Sequence, residues 1–255
     1  MLIKEFTKDS LHINIFSDRR SMGDAAAANA AAVIKDIINR KGSANVIFAA
    51  APSQNEVLEG LVASDVDWTK VRAFHMDEYI GLDPDAPQGF GNFLRDRIFG
   101  KLPFKEVYYL AAYGKDADQI CAQYSILLEN NPPDVVMMGI GENGHIAFND
   151  PPVADFNDPK KVKIVDLDEI CRNQQVNDGC FASIDLVPKQ AVTLTVPTLF
   201  EADHLFCTVP APTKANAVYE MINGTIDEHC PATILRRHSD AHLYLEPDSA
   251  AKLTQ

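Results

Sequence analysis

Short apolar runs of strand length alternate along this chain with longer, partly amphipathic segments, and no other property of the sequence narrows the choice of fold as far. Strands that are buried on both faces have nearly continuous apolar sequences, and the segments between them are long enough to return as helices. The alternation is therefore typical of a parallel sheet covered by helices. The five clearest runs occupy residues 45–50, 71–76, 134–139, 191–196 and 204–209.

The segments between these runs carry helix signals. The alanine-rich stretch 21–40 is the strongest, with Asp24 near its start and Gly42 just past its end. We find no internal repeat and no linker, so residues 1–255 are predicted to form a single α/β domain. Its expected architecture is Rossmann-like, with an open, mostly parallel sheet between two helical layers. Further helices are expected after Pro52 and at 90–99, 117–129 and 213–221, the last with Thr213 as N-cap.

The composition is that of a globular, acidic chain. Its residues are 46% hydrophobic and 23% charged, which supplies enough apolar material for one sizeable core. The formal net charge of −13 disfavours nucleic acid and anionic membrane surfaces as partners, because both would repel the chain. Small molecules are the expected partners, and a bound anion would need a local group of N–H donors and cations.

The cysteines and the N-terminal residues favour a reducing compartment. The five cysteines are odd in number, widely spaced and without a C-x-x-C pair, so they indicate neither a disulfide framework nor a zinc site. Lys4 brings a charge too early for a signal sequence, and no later apolar run is long enough to cross a bilayer. The cytoplasm is the expected location.

Polar motifs follow directly on four of the predicted strands. In open α/β sheets, ligands bind beyond the carboxyl ends of the strands, where loops and helix N-termini converge. Four segments that are distant in sequence are therefore expected to line one crevice. They are residues 51–54, 77–79, 141–145 and 210–214.

The segment 138–151 has the highest density of such signals. Three glycines in six residues after an apolar strand permit a tight turn and let a ligand approach the backbone at Gly144. His145 follows, and histidine is the side-chain type that can exchange a proton near neutral pH. Asn143 and Asp150 are near enough in the chain to fix its tautomer. A hydrogen-bonded structural histidine in a tight loop is the alternative reading of this segment alone.

Two consecutive carboxylates, Asp77 and Glu78, come directly after the predicted strand at 71–76. Successive side chains of an extended chain point in opposite directions, so one carboxylate is expected to face the crevice as a candidate base. A solvated loop pair is the alternative. A metal site of His75, Asp77 and His145 is a further alternative, but the sequence has no histidine pair at helical spacing and no thiolate cluster. No metal is expected.

Together these motifs resemble a known family. The segments FHMDEYIGL at 74–82 and GIGENGHIAFNDP at 139–151 are similar to the paired signatures of glucosamine-6-phosphate deaminases. The resemblance extends over most of the chain and includes residues 186–193 and 231–247. Two independent motifs in the correct order are far more specific than either one alone.

The resemblance implies an aldose–ketose isomerisation with deamination. Asp77 would be the base that moves a proton between C1 and C2 of the opened sugar, and His145 would open the pyranose ring with Asn143 and Asp150 orienting it. Loss of ammonia from C2 would leave fructose 6-phosphate, in amino-sugar catabolism, without an organic cofactor or a metal. The enzyme would be a hydrolase acting on a C–N bond. Lys214 matches the phosphate-binding lysine of the family.

The segments that would hold the phosphate depart from the family pattern. A Gly-Gly-Thr/Ser-Pro loop is usual after the early strand, whereas this chain has Ala-Pro-Ser-Gln at 51–54 and keeps only the hydroxyl of Ser53. The family arginine would fall near Gly179, and Arg172, seven residues upstream, is the candidate substitute. The predicted substrate-binding residues are therefore Ser53, Gly144, Lys214 and Arg172.

Two other functions stay open at this stage. 6-Phosphogluconolactonase resembles the chain in fold and in a Gly-x-Gly-x-x-Gly-His segment, but it has no need of an enolising aspartate. A catalytically silent sugar-phosphate sensor would share the fold, yet the chain has no helix-turn-helix pattern and is strongly acidic. A homo-oligomer is compatible with the sequence, which does not determine the oligomeric state.

Overall fold

The computed structural model describes residues 1–110, 116–177 and 179–253. Its strands, in chain order, are β1 Leu2–Lys8, β2 Leu11–Phe16, β3 Ala44–Phe48, β4 Val71–His75, β5 Asp77–Tyr79, β6 Glu106–Tyr108, β7 Val135–Met138, β8 Val162–Asp166, β9 Gln190–Leu194, β10 His204–Val209 and β11 Ala241–Leu245. The α-helices are α1 Arg19–Lys41, α2 Asn55–Val62, α3 Phe90–Leu94, α4 Ala117–Asn130, α5 Glu169–Asn177, α6 Val196–Phe200 and α7 Ala215–Asn223. Within these residues, no helix has both the length and the apolar character that a membrane crossing requires.

The main sheet has eight strands in the order β1-β2-β11-β10-β7-β3-β4-β6. All neighbouring pairs are parallel except the N-terminal hairpin of β1 and β2. This agrees with the predicted open, mostly parallel sheet. One predicted strand lies elsewhere, because β9 joins β5 and β8 in a separate, antiparallel three-stranded sheet. Its apolar sequence reports burial on both faces and carries no information about which strands it pairs with.

The main sheet separates two apolar clusters, as the alternation of side chains along β3 illustrates. Val46 and Phe48 belong to the cluster that includes α1 and α2. Ile47, on the opposite face of the same strand, belongs to the cluster that includes α4 and α7. Because successive residues of a strand point to opposite faces, a strand covered on both sides must be apolar at every position. The three-layer prediction is confirmed.

Helix α1 is bounded by two local signals. Its N-cap is Asp18, whose carboxylate accepts from the N–H of Ser21 at 2.7 Å, so the helix begins earlier than the predicted residue 21. Asp24 lies one turn into the helix and pairs with Arg20. At the other end Gly42 adopts φ 80° and its N–H donates to Ile38 O at 2.8 Å, as predicted.

The other predicted helices are present with different ends. A 3₁₀ turn at Pro52–Gln54 leads into α2, and α3 continues as a π-helical turn at Arg95–Phe99. A second 3₁₀ turn, Pro212–Lys214, precedes α7, which begins at Ala215. Thr213 therefore lies within this turn, and the expectation that it caps the helix is wrong: α7 has no side-chain cap.

The strand order places a crevice beside β3. After β3 the chain adds β4 on one side, whereas β7 pairs with the other side of β3. The connections that leave the carboxyl ends of β3 and β7 therefore diverge, and a ligand-sized space opens between them. The segments that follow β4 and β10 reach the same edge of the sheet.

Candidate active site

A cleft that is open to solvent lies at this edge of the sheet. Residues from all four polar segments contribute to its wall, which confirms that they converge. The chemistry-bearing side chains that the sequence predicted there and that the structure places in the wall are Ser53, Asp77, His145 and Lys214. Asn143 and Asp150 do not line the cleft themselves but lie behind His145, in contact with its ring.

His145 is held by a compact hydrogen-bond network on one side of its ring. Its Nδ1 lies 2.8 Å from Asn143 Oδ1 and 2.9 Å from Asp150 Oδ1, and the Asn143 amide donates to Asp150 Oδ1 at 2.9 Å. Both neighbours of Nδ1 are acceptors, so Nδ1 carries a hydrogen. The neutral imidazole then has its lone pair on Nε2, where it is available as an acceptor of a substrate proton.

The glycines before His145 make room for this arrangement. Gly144 adopts φ 81° and packs so closely on Cys230 that a Cβ would overlap the sulfur. Its carbonyl accepts from the N–H of Ala232 at 2.8 Å, which ties the turn to a neighbouring segment. Gly144 does not line the cleft. Its predicted role as a direct substrate contact is replaced by a conformational one, because only a residue without a Cβ fits this site.

The charge of Asp150 is stabilised although its side chain is buried. Burial alone would raise the pKa of Asp150, but the charge and hydrogen bond of His145 lower it, so that the pKa lies below its ordinary value. The Asn143 amide and the Cys171 thiol lower it further.

One group of described residues brings three possible metal ligands together: His145, Asp150 and Cys171, whose ligand atoms lie within 4.8 Å of one another. Burial, and after it the charge of Asp150, raises the pKa of the Cys171 thiol, which disfavours the thiolate that a metal would need. Nδ1 of His145 is already engaged by the two acceptors described above. The donor set therefore fits a hydrogen-bond network better than a metal ion.

Asp77 and Glu78 have opposite surroundings, as the sequence predicted. Asp77 lines the cleft, and burial together with the charge of Glu78 raises its pKa well above the ordinary value. Glu78 is fully buried and accepts from the N–H groups of Phe90 at 3.1 Å and Gly91 at 2.8 Å, at the start of α3. The backbone donors favour the anion of Glu78. Asp77 is left as the carboxylate that can exchange a proton with a ligand.

Thr193 connects the two segments that carry Asp77 and His145. It lies opposite Asp77 in the pairing of β5 with β9. Its Oγ1 accepts from the N–H of Phe148, three residues after His145, at 3.1 Å. The small antiparallel sheet therefore fixes the loop of the histidine relative to the strand of the aspartate, a role that the sequence did not reveal.

His75, which the sequence also suggested as a ligand, is a core residue. It is fully buried, and burial lowers its pKa to about 3, so the ring is neutral. Its Nδ1 accepts from the N–H of Leu110 at 3.3 Å, and the hydroxyl of Tyr124 donates to its carbonyl at 2.8 Å. His75 does not line the cleft.

The opposite side of the cleft is formed by the turn at 51–54 and by Lys214. Gln54 is buried and anchors the turn to the end of β10: its Nε2 donates to Thr208 O at 3.3 Å, and the Thr208 hydroxyl donates to its Oε1 at 3.0 Å. Ser53 is thereby presented to the cleft. Lys214 is buried in the wall at the start of α7.

Arg172 is not in this wall, contrary to the prediction. It lies on α5, and its Nη2 donates to the carbonyls of Ile184 at 2.5 Å and Val187 at 3.0 Å, where it closes a loop. Ile184 O also accepts from the N–H of Val187 at 3.1 Å, and the two carbonyls hold the guanidinium away from the cleft. The arginine that does line the cleft is Arg19, at the first turn of α1.

Comparison with known proteins is consistent with this geometry. The sequence profile of the family described as "Glucosamine-6-phosphate isomerases/6-phosphogluconolactonase" matches residues 17–244. A glucosamine-6-phosphate deaminase of Lactobacillus helveticus is 33% identical over 214 residues, 84% of this chain and 87% of the relative. One of Listeria innocua is 32% identical over 213 residues, covering 83% and 89%.

Solved structures of related proteins superpose on this chain. The structure of a monomeric glucosamine-6-phosphate deaminase superposes with a TM-score of 0.85 at 26% identity, covering 94% of this chain and 98% of that one. The 6-phosphogluconolactonase of Thermotoga maritima superposes with a TM-score of 0.76 over 92% and 99% of the two chains, but at 18% identity it shows only the shared fold. This chain belongs to the glucosamine-6-phosphate isomerase/6-phosphogluconolactonase family.

Proposed function

We propose that the chain is an enzyme that converts glucosamine 6-phosphate and water into fructose 6-phosphate and ammonia. The observation that carries the proposal is the presence, in one cleft, of a carboxylate with a raised pKa, Asp77, and an imidazole with a fixed tautomer, His145. A base and a separate acid–base group are what an isomerisation through an enol requires. The names of the sequence relatives support the same reaction.

His145 opens the sugar ring in this mechanism. Its Nε2 accepts the proton of the anomeric hydroxyl and returns a proton to the ring oxygen as the C1–O5 bond breaks, which leaves an open-chain aldehyde. The imidazolium that exists between these two transfers is stabilised by Asp150, with Asn143 holding the ring in place. Such positioned proton transfer contributes on the order of 10²–10⁴-fold to a rate.

Asp77 then moves one proton between neighbouring carbons. Its carboxylate removes the C2 proton of the open chain, the electron pair of that bond forms the C1–C2 double bond, and the C1 oxygen takes up a proton from water to give an enol. The same carboxyl then returns its proton to C1 as the lone pair of the amine forms the C2–N double bond. The amine at C2 becomes an imine, water adds to it, and the C2–N bond breaks to release ammonia and leave the ketone. The raised pKa of Asp77 makes it a stronger base than an exposed aspartate.

An ammonia-release assay tests the proposal directly. Glucosamine 6-phosphate, galactosamine 6-phosphate and the two unphosphorylated sugars are incubated with the protein, and ammonia and fructose 6-phosphate are measured together. We expect equal amounts of both products from glucosamine 6-phosphate and a large drop without the phosphate. Binding without turnover would instead identify a sensor, and hydrolysis of 6-phosphogluconolactone without ammonia release would identify a lactonase.

A further inference from the structure

We propose that Arg19 is a substrate-binding residue of the cleft and that it binds the phosphate group together with Lys214 and Ser53. This inference rests on the proposed function, since it assigns a second cation to the phosphate of that substrate. Arg19 lies at the first turn of α1, far in sequence from the two other residues, and all three line the cleft. A guanidinium binds phosphate through several parallel N–H donors, which an ammonium group does not match.

The guanidinium of Arg19 is held against the turn that presents Ser53. Its Nη2 donates to Pro52 O at 2.5 Å, and its Nε lies 2.8 Å from Glu56 Oε1. These two contacts use one edge of the guanidinium. In the described part of the chain, no hydrogen bond uses Nη1, and the Arg19 side chain is 39% exposed. An unused donor edge thus remains on a fixed side chain at the wall of the cleft.

The charges of the chain make a second cation important. With a formal net charge of −13, the protein as a whole repels a phosphate dianion, so affinity must come from groups close to it. Among the described residues of the cleft wall, Arg19 and Lys214 are the only arginine and lysine. Pro52 has no N–H, so the turn at 51–54 offers one backbone donor fewer to an anion.

The contact with Glu56 orients Arg19 at some electrostatic cost. The carboxylate offsets part of the guanidinium charge, but it also restrains a side chain that would otherwise lose rotamer freedom on binding. A purely structural role for Arg19, in which it only clamps the turn at Pro52, would affect every ligand of the cleft equally. Direct binding would affect phosphate-bearing ligands alone, and this difference separates the two roles.

The experiment compares Arg19→Gln and Arg19→Lys with the matched control Arg20→Gln. Arg20 is the next residue of α1, but it is exposed and pairs with Asp24 and Glu59 on the surface. Binding of inorganic phosphate is measured by calorimetry at constant ionic strength. KM and kcat are measured with glucosamine 6-phosphate and with unphosphorylated glucosamine, and thermal melts report folding.

We expect Arg19→Gln to weaken phosphate binding and to raise KM for glucosamine 6-phosphate by about 10- to 100-fold, the range for a lost charged hydrogen bond. Its kcat is expected to change by less than about 3-fold, while Arg19→Lys is intermediate because it keeps the charge but loses the second donor. Arg20→Gln is expected to match the parent. With unphosphorylated glucosamine, the Arg19 variants are expected to have the same KM and kcat as the parent.

Several results would overturn the inference: a parent that binds no phosphate, an Arg19→Gln variant that binds phosphate as the parent does, or equal losses with and without the phosphate group. If Arg19→Gln does not fold, Arg19→Lys decides by the same criteria. Failure of the proposed function looks different. The parent would then release no ammonia, while the calorimetric comparison would still show whether Arg19 binds phosphate.

Discussion

The imidazole of His145 occupies the space that a side chain of Gly141 would fill. A Cβ at residue 141 would overlap Cε1 and Nδ1 of the ring, and the Gly141 N–H donates to the carbonyl of His145 at 2.9 Å. The turn therefore folds the histidine back over its own glycine. This contact explains why a glycine four residues before the histidine is part of the motif: the ring keeps its position only if residue 141 has no side chain.

Gly141→Ala is expected to displace the His145 ring and to reduce kcat/KM by about 10²-fold or more, since positioned acid–base catalysis contributes 10²–10⁴-fold. The matched control is Gly42→Ala at the end of α1, where φ is 80° and, apart from the adjoining chain, no atom of the described residues lies within 4 Å of the added methyl group. That variant should lose about 1 kcal/mol of stability and keep the parental kcat. Steady-state kinetics and urea unfolding of both variants check the prediction, which an active Gly141→Ala would contradict.

Asp77→Asn is expected to lower kcat for ammonia release by about 10²–10⁴-fold, because the amide keeps the shape of the side chain but cannot accept the C2 proton. Asp83→Asn, an exposed aspartate in the same segment, serves as the control and should behave as the parent. In the parent, kcat/KM should fall toward acid pH as Asp77 is protonated, at a pH above the ordinary pKa of an aspartate. A pH profile without that fall would exclude Asp77 as the base.

The same substitution is expected to stabilise the fold at neutral pH. The pKa of Asp77 is raised in the native state, so the native state binds this proton more tightly than the unfolded chain does. The stability that comes from the protonated carboxyl is complete below the unfolded pKa and is lost as pH rises through the native pKa. The amide that replaces the carboxyl in Asp77→Asn carries no charge at any pH, so the variant does not lose this stability. Its free energy of unfolding at neutral pH is expected to exceed that of the parent by an amount on the order of 1–3 kcal/mol, a usual range for single substitutions.

Urea unfolding of the parent and of Asp77→Asn at several pH values tests this prediction. The variant should be more stable than the parent at pH 7, and the difference should shrink as pH falls to the ordinary pKa of an aspartate, where the carboxyl is protonated in the unfolded chain as well. A parent that is the more stable protein at pH 7 would show that Asp77 is not destabilised by its burial beside Glu78.

Ala211, in the wall of the cleft, has a backbone conformation that suits glycine. Its φ is 86° and its ψ 145°, and its N–H donates to Glu246 Oε1 at 2.9 Å, which holds the chain in place. Such a conformation costs a residue with a Cβ about 1–3 kcal/mol. Ala211→Gly should therefore stabilise the protein by about 1 kcal/mol after the entropy of the added glycine is counted.

Ala215→Gly is the counterpart of this substitution. Ala215 is the first residue of α7 and has an ordinary helical φ of −59°. The same chemical change should there destabilise the protein by about 1 kcal/mol. Thermal unfolding of the two variants should give shifts of opposite sign, and shifts of the same sign would show that Ala211 is not strained.

The sequence predicted most of the layers and the position of the cleft. The apolar runs that became β3, β4, β7 and β10 are buried on both faces, so their composition alone identifies them as strands. Because the carboxyl ends of parallel strands meet at one edge, the polar residues after these runs were correctly expected to converge. The hydrogen-bond partners of His145 followed from the same motif, since they lie within a few residues of it in the chain.

Other features depend on contacts that the sequence does not encode locally. β1 is exposed along much of its length and lacks the apolar signature of a strand, so the N-terminal hairpin was missed. β2 was missed with it, although its carboxyl end leads directly to Arg19. Ligands bind beyond the carboxyl ends of the strands in open α/β sheets, so a prediction that included β2 would also have placed Arg19 at the cleft. The prediction for Arg172 was wrong because it rested on sequence spacing alone. The position of its guanidinium is determined by hydrogen bonds to the carbonyls of Ile184 and Val187.

The cleft receives its two halves from different parts of the chain. Asp77 and His145 come from the segments after β4 and β7, whereas Arg19, Ser53 and Lys214 come from α1 and from the turns after β3 and β10. The two halves follow different strands of the eight-stranded sheet. Under the proposed mechanism, a substitution in the second half can therefore change which sugar phosphate is bound while the positions of Asp77 and His145 stay the same.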